Sequence, residues 1–217
     1  MTSITPKIDQ QVPWECYRCP NTNLVYFRHM KCASTLYSML FYKLKWEKTD
    51  THHIDWNYDK VFSLIRNPLN KHRKGIVEYF YFYYRHGARS QIEIFLKNLD
   101  LIQILAQIPY LDVHSMSLYS MLGTNAELVD FIPIDTGINH KRYVLDSIKQ
   151  YVNIDTEIES WFLLLPKIGE LSGKNNELFE RLMQEPTPSQ ILRYIDYDTI
   201  LYEIAKIKYS YLKNSAE

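Results

Sequence analysis

The chain has 217 residues, 46% of them hydrophobic and 23% charged, with 25 Lys+Arg set against 25 Asp+Glu. That length suits one domain with a sizeable core, and the charge balance excludes a global field that would steer the chain to nucleic acid or a membrane, so any anion site must be local. No apolar run approaches the ~20 residues that span a bilayer and residues 1–14 carry no signal-peptide core, so the expected location is cytoplasmic, in a bacterial or viral setting rather than a secretory one.

The three cysteines, Cys16, Cys19 and Cys32, are too few and too odd in number for a disulfide framework. Cys16 and Cys19 form a CxxC, but no second pair completes a zinc site, and Pro20 follows where a redox motif would open a helix. They read as two thiols in an N-terminal turn, within an extension covering 1–22. LVYFR (24–28) is a short buried strand. After a turn, 35–46 places Leu36, Leu40, Phe41 and Leu44 at helical spacing. The stretch 47–59 reads as a loop, and KVFSLI (60–65) as a second strand. Pro68 then ends the strand region and opens a helix through 71–87. Helical patterns follow at about 90–108 and 140–152, with a third strand, ELVDFIPI (127–134), between them. The last helix starts after Thr187, a natural cap before Pro188, and runs to 214. Strands alternating with helices imply a single α/β domain: a three-layer α/β/α arrangement with a central, mainly parallel sheet and helices on both faces.

In such sheets ligands sit at the carboxyl ends of the strands. Two basic turns lie there, Met30–Thr35 and Arg66–Lys74, and they are expected to converge. The first offers backbone N–H groups at a helix N-terminus, the Lys31 ammonium, and the Ser34 and Thr35 hydroxyls, a set suited to a phosphate. It is not GxxxxGK[ST], the form that holds ATP. The second offers Arg66, an unusual residue for the end of a buried strand unless it has a partner, with Lys71, His72, Arg73 and Lys74 one turn on. Some of those four should face solvent, while Lys74 is spaced to fold back toward Arg66. Two cationic turns at one edge suit a ligand with phosphates at both ends, such as a nucleoside bisphosphate. The second strand ends in arginine, where a P-loop NTPase needs an acid near Mg²⁺, so no metal is expected.

At these residues the chain resembles the sulfotransferases that use 3′-phosphoadenosine 5′-phosphosulfate (PAPS), most closely the carbohydrate branch that includes heparan 2-O-sulfotransferase-like enzymes. MKCASTL is similar to that family's 5′-phosphosulfate loop, and VFSLIRNPLNKHRKGIVEYFYF to its 3′-phosphate strand and helix. HSMSLYSMLG, ELVDFIPIDTGINHKRYVLDSIKQYVN, LLLPKIGELSG and TPSQILRYIDYDTILY follow in the family's order, so the likeness covers most of residues 23–205. Lys74 stands where the family usually has serine, and Asp135 where it usually has glutamate.

The resemblance implies a P-loop-like fold. It also implies transfer of a sulfuryl group from PAPS, leaving PAP, to a hydroxyl or amine on a small-molecule or glycan acceptor. Lys31, Cys32, Ala33, Ser34, Thr35, Arg66 and Lys74 would bind the donor, with Lys31 also stabilising the leaving oxygen. For the proton acceptor the loop between the turns offers His53 first and His52 second, with Asp55 able to orient either ring. His114, Glu78 and Arg85 are candidates on the acceptor side, Glu78 as a base in branches that use glutamate. His29 is expected to pack beneath the loop. The aromatic run Tyr79–Tyr84 reads mainly as core. Two alternatives stand beside this reading: a sulfotransferase-fold protein that binds a nucleotide or partner without turnover, and a P-loop kinase.

Overall fold

A computed structural model describes residues 14–83, 89–111, 113–135, 139–166 and 173–213. Five strands form one mixed sheet: β1 (Glu15–Arg18), β2 (Leu24–Phe27), β3 (Glu47–Asp50), β4 (Lys60–Ile65) and β5 (Asp130–Pro133), in the order β3-β1-β2-β4-β5. β2, β4 and β5 are parallel, while β1 pairs antiparallel with both β2 and β3. The mainly parallel sheet expected from sequence is therefore only half right: β2, β4 and β5 pair in parallel, while β1 lies antiparallel between β3 and β2.

β2 (LVYF) is buried along its whole length, as a strand covered on both faces should be. Its alternate side chains enter different apolar clusters. Leu24 and Tyr26 pack with Leu36, Tyr37, Leu40 and Phe41 of α1 (Ser34–Lys43) and with Val144, Leu145 and Ile148 of α6 (His140–Ile148). Val25 and Phe27 pack with Leu118 of α5 (Leu118–Leu122) and with Leu201, Tyr202 and Ala205 of α9 (Ser189–Lys213). Ser63, fully buried in β4, donates its hydroxyl to the Phe27 carbonyl at 2.7 Å, which removes the cost of a polar group there.

A third cluster lies apart from the sheet. Ile76, Val77 and Phe80 of α2 (Pro68–Tyr83) meet Ile92 of α3 (Arg89–Lys97), Ile102 and Leu105 of α4 (Leu99–Ala106), and Leu178, Phe179 and Leu182 of α8 (Gly173–Gln184). Phe80 stacks edge-on against Phe95 at 4.8 Å, so this part of the aromatic run is core, as its spacing suggests.

The departures from the sequence reading have identifiable causes. Residues 15–18, expected in an extension, form β1: Cys16 and Cys19 are both buried as free thiols, in clusters on opposite sides of the sheet. β3 (EKTD) was expected to be loop because an exposed, charged edge strand has no apolar alternation; its Lys48 ammonium lies 2.9 Å from Glu15 on β1. The helical pattern over 90–108 divides at Asn98, whose side chain accepts the Leu101 N–H and starts α4. α7 (Thr156–Leu164) lacks a strong apolar stripe, whereas α8 carries one in Leu178, Phe179 and Leu182 that the sequence reading missed.

Candidate functional site

The carboxyl ends of β2, β3, β4 and β5 share one edge of the sheet, because β3 runs parallel to β2 with β1 reversed between them. The turn after β2 is built from an unusual backbone. Lys31 and Ala33 both have positive φ, 63° and 56°, although neither is glycine. Ala33 stands at the N-cap of α1 and has no side chain able to accept the helix's first N–H groups. Left-handed residues alternating in a turn aim successive N–H groups at a common point, the geometry of an anion-binding nest. Such strain, of order 1–3 kcal/mol per residue, is characteristic of functional sites.

His29 supports this turn from below. It is fully buried, its Nδ1 3.0 Å from the Leu64 carbonyl and 3.2 Å from Cys32 Sγ, while its Nε2 has no hydrogen-bond partner among the described residues. Burial, reinforced by the Lys71 and Arg66 charges, holds its pKa well below the usual histidine value. Burial likewise pushes the Cys32 thiol up to about 12, so it is a packing group and not a nucleophile. Because Cys32 also contacts the Arg66 main chain, the turns after β2 and β4 meet, as expected. Ser34 is buried and Thr35 exposed in the first turn of α1.

Each cation at this edge faces an acid from another element. Lys31 is ion-paired with Glu78 of α2, and both side chains are largely buried, 15% and 11% exposed. Arg66 Nε lies 3.3 Å from Asp135 Oδ1, an ion contact without hydrogen-bond geometry, and the other Asp135 oxygen accepts the Asn67 N–H at 2.6 Å. Asn67 in turn accepts the Asn70 N–H at 3.1 Å, closing the first turn of α2. Behind them the Lys71 charge acts on Asp198 of α9, whose two oxygens share the single Leu118 N–H at 2.8 and 2.9 Å.

The basic run on α2 does not face solvent as expected. Lys71, His72 and Arg73 are all buried. Lys71 donates to the Met116 carbonyl, His72 Nε2 lies 3.0 Å from the Pro109 carbonyl, and Arg73 donates to the Ala106 carbonyl at 2.8 Å. α2 is enclosed by α4, α8, α9 and the segment after α4, so consecutive helix positions all point inward; each head reaches one carbonyl that no helix uses, while His72 Nδ1 and Arg73 Nε and Nη2 have no hydrogen-bond partner among the described residues. Lys74 places its ammonium 5.3 Å from the ring centre of Phe179 on α8.

The other candidates fall as follows. His52 and His53 occupy a short 3₁₀ turn after β3 and are exposed; Asp50 accepts the His52 N–H and lies 3.0 Å from His53 Nδ1. Asp55, expected to orient a histidine, instead accepts the Asn57 N–H. β3 is two strand positions from β2, so this turn leaves the sheet roughly 10 Å from the Lys31 turn. The His114 backbone packs directly on Gly75, one turn before Glu78, where a Cβ would come within 2.3 Å of the His114 oxygen. Arg85 lies outside the described residues.

Compared with known proteins, the chain matches no family model, no curated protein and no solved structure. Asp198 and the Lys31 pairing of Glu78 escaped the sequence reading. Their signal lies in helix-to-helix proximity, which no local spacing reveals.

Proposed function

We propose that the chain is a PAPS-dependent sulfotransferase on a P-loop-like, three-layer α/β/α frame, acting on a hydroxyl or amine acceptor of the carbohydrate class. The observation that carries this reading is the meeting of two cationic turns at one edge of the parallel strands: the strained Lys31–Ala33 turn at the start of α1, and Arg66 at the start of α2. In this reading the N–H groups of the first turn of α1, the Ser34 and Thr35 hydroxyls and Lys31 receive the phosphosulfate end, and Arg66 the 3′-phosphate. PAPS supplies an activated sulfuryl group. Its sulfur–oxygen bond to phosphate breaks as the acceptor bonds to sulfur, and the acceptor's proton passes to a base. Lys31 stands where negative charge grows on the leaving oxygen.

Two placements refine the roles. Glu78 touches Lys31, whereas His53 is exposed and about two strand spacings away, so we assign the proton acceptor to Glu78 ahead of His53 and His52. We assign the 3′-phosphate to Arg66 without Lys74, whose ammonium lies over Phe179. That same placement supports the second reading, a nucleotide-binding protein without turnover.

Calorimetric titration with PAP and, separately, with ATP·Mg²⁺ tests the reading. Micromolar PAP binding without metal, weakened about tenfold or more by Lys31→Ala and by Arg66→Ala, is expected. Absence of PAP binding would overturn it, leaving a kinase if ATP·Mg²⁺ binds and a partner-binding protein if neither does. Transfer assays with Glu78→Gln against His53→Ala then separate the two candidate bases and distinguish an enzyme from a binder.

A further inference from the structure

Two acids face two cations at the same sheet edge, and the chemistry of the cations gives the acids opposite roles. The charge of lysine is concentrated on one nitrogen at the end of a flexible stem. Glu78 sits directly on that nitrogen, with both partners largely removed from water. An anion drawn to Lys31 competes with this carboxylate for the same charge. Arginine spreads its charge over three nitrogens in a planar fork. Asp135 makes its closest approach to the Arg66 fork at Nε, the atom nearest the main chain, at 3.3 Å and without a hydrogen bond, so it does not grip the fork as a bidentate partner would. Asp135 is also fixed by the Asn67 N–H at 2.6 Å, a donor that belongs to the backbone and cannot swing away.

We infer that Glu78 is an internal competitor for the phosphate position at Lys31, so that ligand binding at this edge is an exchange of carboxylate for phosphate, while Asp135 is a positioning residue that stays on Arg66 throughout. This rests on the reading of the edge as a phosphate site. The exchange determines ligand class. A simple carboxylate would replace like with like against a tethered rival whose effective concentration is of millimolar order or more. A phosphate or pyrophosphate group brings denser charge and more acceptor oxygens, and so displaces Glu78 where acetate does not. The partner that must move is carried on a flexible side chain, so the exchange needs no shift of α1 or α2.

The test is calorimetry with inorganic pyrophosphate and with PAP on wild type, Glu78→Gln and Asp135→Asn, with thermal melting to verify that each variant is folded. Glu78→Gln should bind both ligands roughly three- to tenfold tighter, the range for losing a partly buried charged rival, and Asp135→Asn should bind them more weakly. On wild type, the side-chain carboxyl carbon of Glu78, followed by NMR, should shift on adding pyrophosphate and stay put on adding equimolar acetate. Unchanged or weaker binding by Glu78→Gln, tighter binding by Asp135→Asn, or an unmoved Glu78 carbon overturns the inference. If wild type binds PAP and any of these results is found, the phosphate site stands and the exchange alone fails. If neither wild type nor variants bind either anion, both fail together.

Discussion

Replacing Asp198 by alanine is the sharpest probe of how the site is held. Asp198 is 2% exposed on α9; it accepts the Leu118 N–H at 2.8 and 2.9 Å and reaches the Tyr119 N–H at 3.4 Å, thereby capping the start of α5. It also faces Lys71, which is buried behind Cys32 and His29 of the Lys31 turn. Burial pushes the Asp198 pKa up and the Lys71 pKa down, each toward its uncharged form, and their mutual attraction opposes both shifts. Alanine leaves the Leu118 and Tyr119 N–H donors without their acceptor and removes the nearby carboxylate whose field favours charged Lys71, for a combined cost of about 3–5 kcal/mol. Against a total stability of about 5–15 kcal/mol, and at ~2–4 °C per kcal/mol for a chain of this size, Tm should fall by roughly 6–20 °C. Urea unfolding followed by circular dichroism at pH 7 measures the loss. Lys71→Met in the Asp198→Ala background should recover part of it, because the orphaned charge is then gone. A loss under about 1 kcal/mol would refute Asp198 as the anchor, and no recovery would refute its coupling to the Lys71 charge.

Stability should also fall with acid in a definite window. His72 is buried and its pKa is depressed to about 4, while burial holds His29 well below the usual histidine value. Below about pH 6.5 the unfolded chain takes up protons that these folded imidazoles refuse, so their contribution is complete above that pH and is lost as pH falls toward 4. For His72 alone the loss is on the order of 3 kcal/mol between pH 7 and pH 4, and His72→Gln should flatten the profile of urea midpoints by a comparable amount. Gly75→Ala should destabilise despite alanine's better helix propensity, worth about 1 kcal/mol. The new Cβ would lie 2.3 Å from the His114 oxygen and 2.7 Å from the Ser115 nitrogen, both backbone atoms with nowhere to retreat. A net loss of about 1–3 kcal/mol in urea is expected, and a neutral result would mean that α2 and the 114–115 backbone are not in such close apposition.

The parallel half of the fold was legible because its strands carry their own signal. LVYF and KVFSLI are short apolar runs closed by basic turns, and the structure places them at 24–27 and 60–65. The antiparallel half was not, since β1 and β3 owe their place to pairing with neighbours: EKTD becomes a strand only because its backbone lines up with Glu15–Arg18. The site followed the same division. Convergence of the two turns was readable once both were placed at strand ends. The acids were harder, because Glu78 meets Lys31 across forty-seven positions and Asp135 meets Arg66 only because β5 is the strand beside β4. The α2 cations misled for a different reason. A run of four basic residues usually marks a solvated face, yet an enclosed helix turned three of them onto carbonyls.

That burial bears on how an anion is recognised. Lys31, Arg66 and Lys71 gather at one edge, and each is matched by an acid from a different element: Glu78, Asp135 and Asp198. The cluster is therefore compensated in place, in keeping with a chain whose basic and acidic residues are equal in number. A compensated edge gives little long-range attraction, so discrimination must come from contact. Of the three acids, Asp198 is held by backbone donors of α5 and Asp135 by the Asn67 N–H, whereas Glu78 meets the flexible side chain of Lys31. Only the last pair can open without disturbing a helix start. In the proposed phosphate site, selectivity would therefore fall on the Lys31–Glu78 pair, with Asp135 and Asp198 keeping the turns in register while it opens.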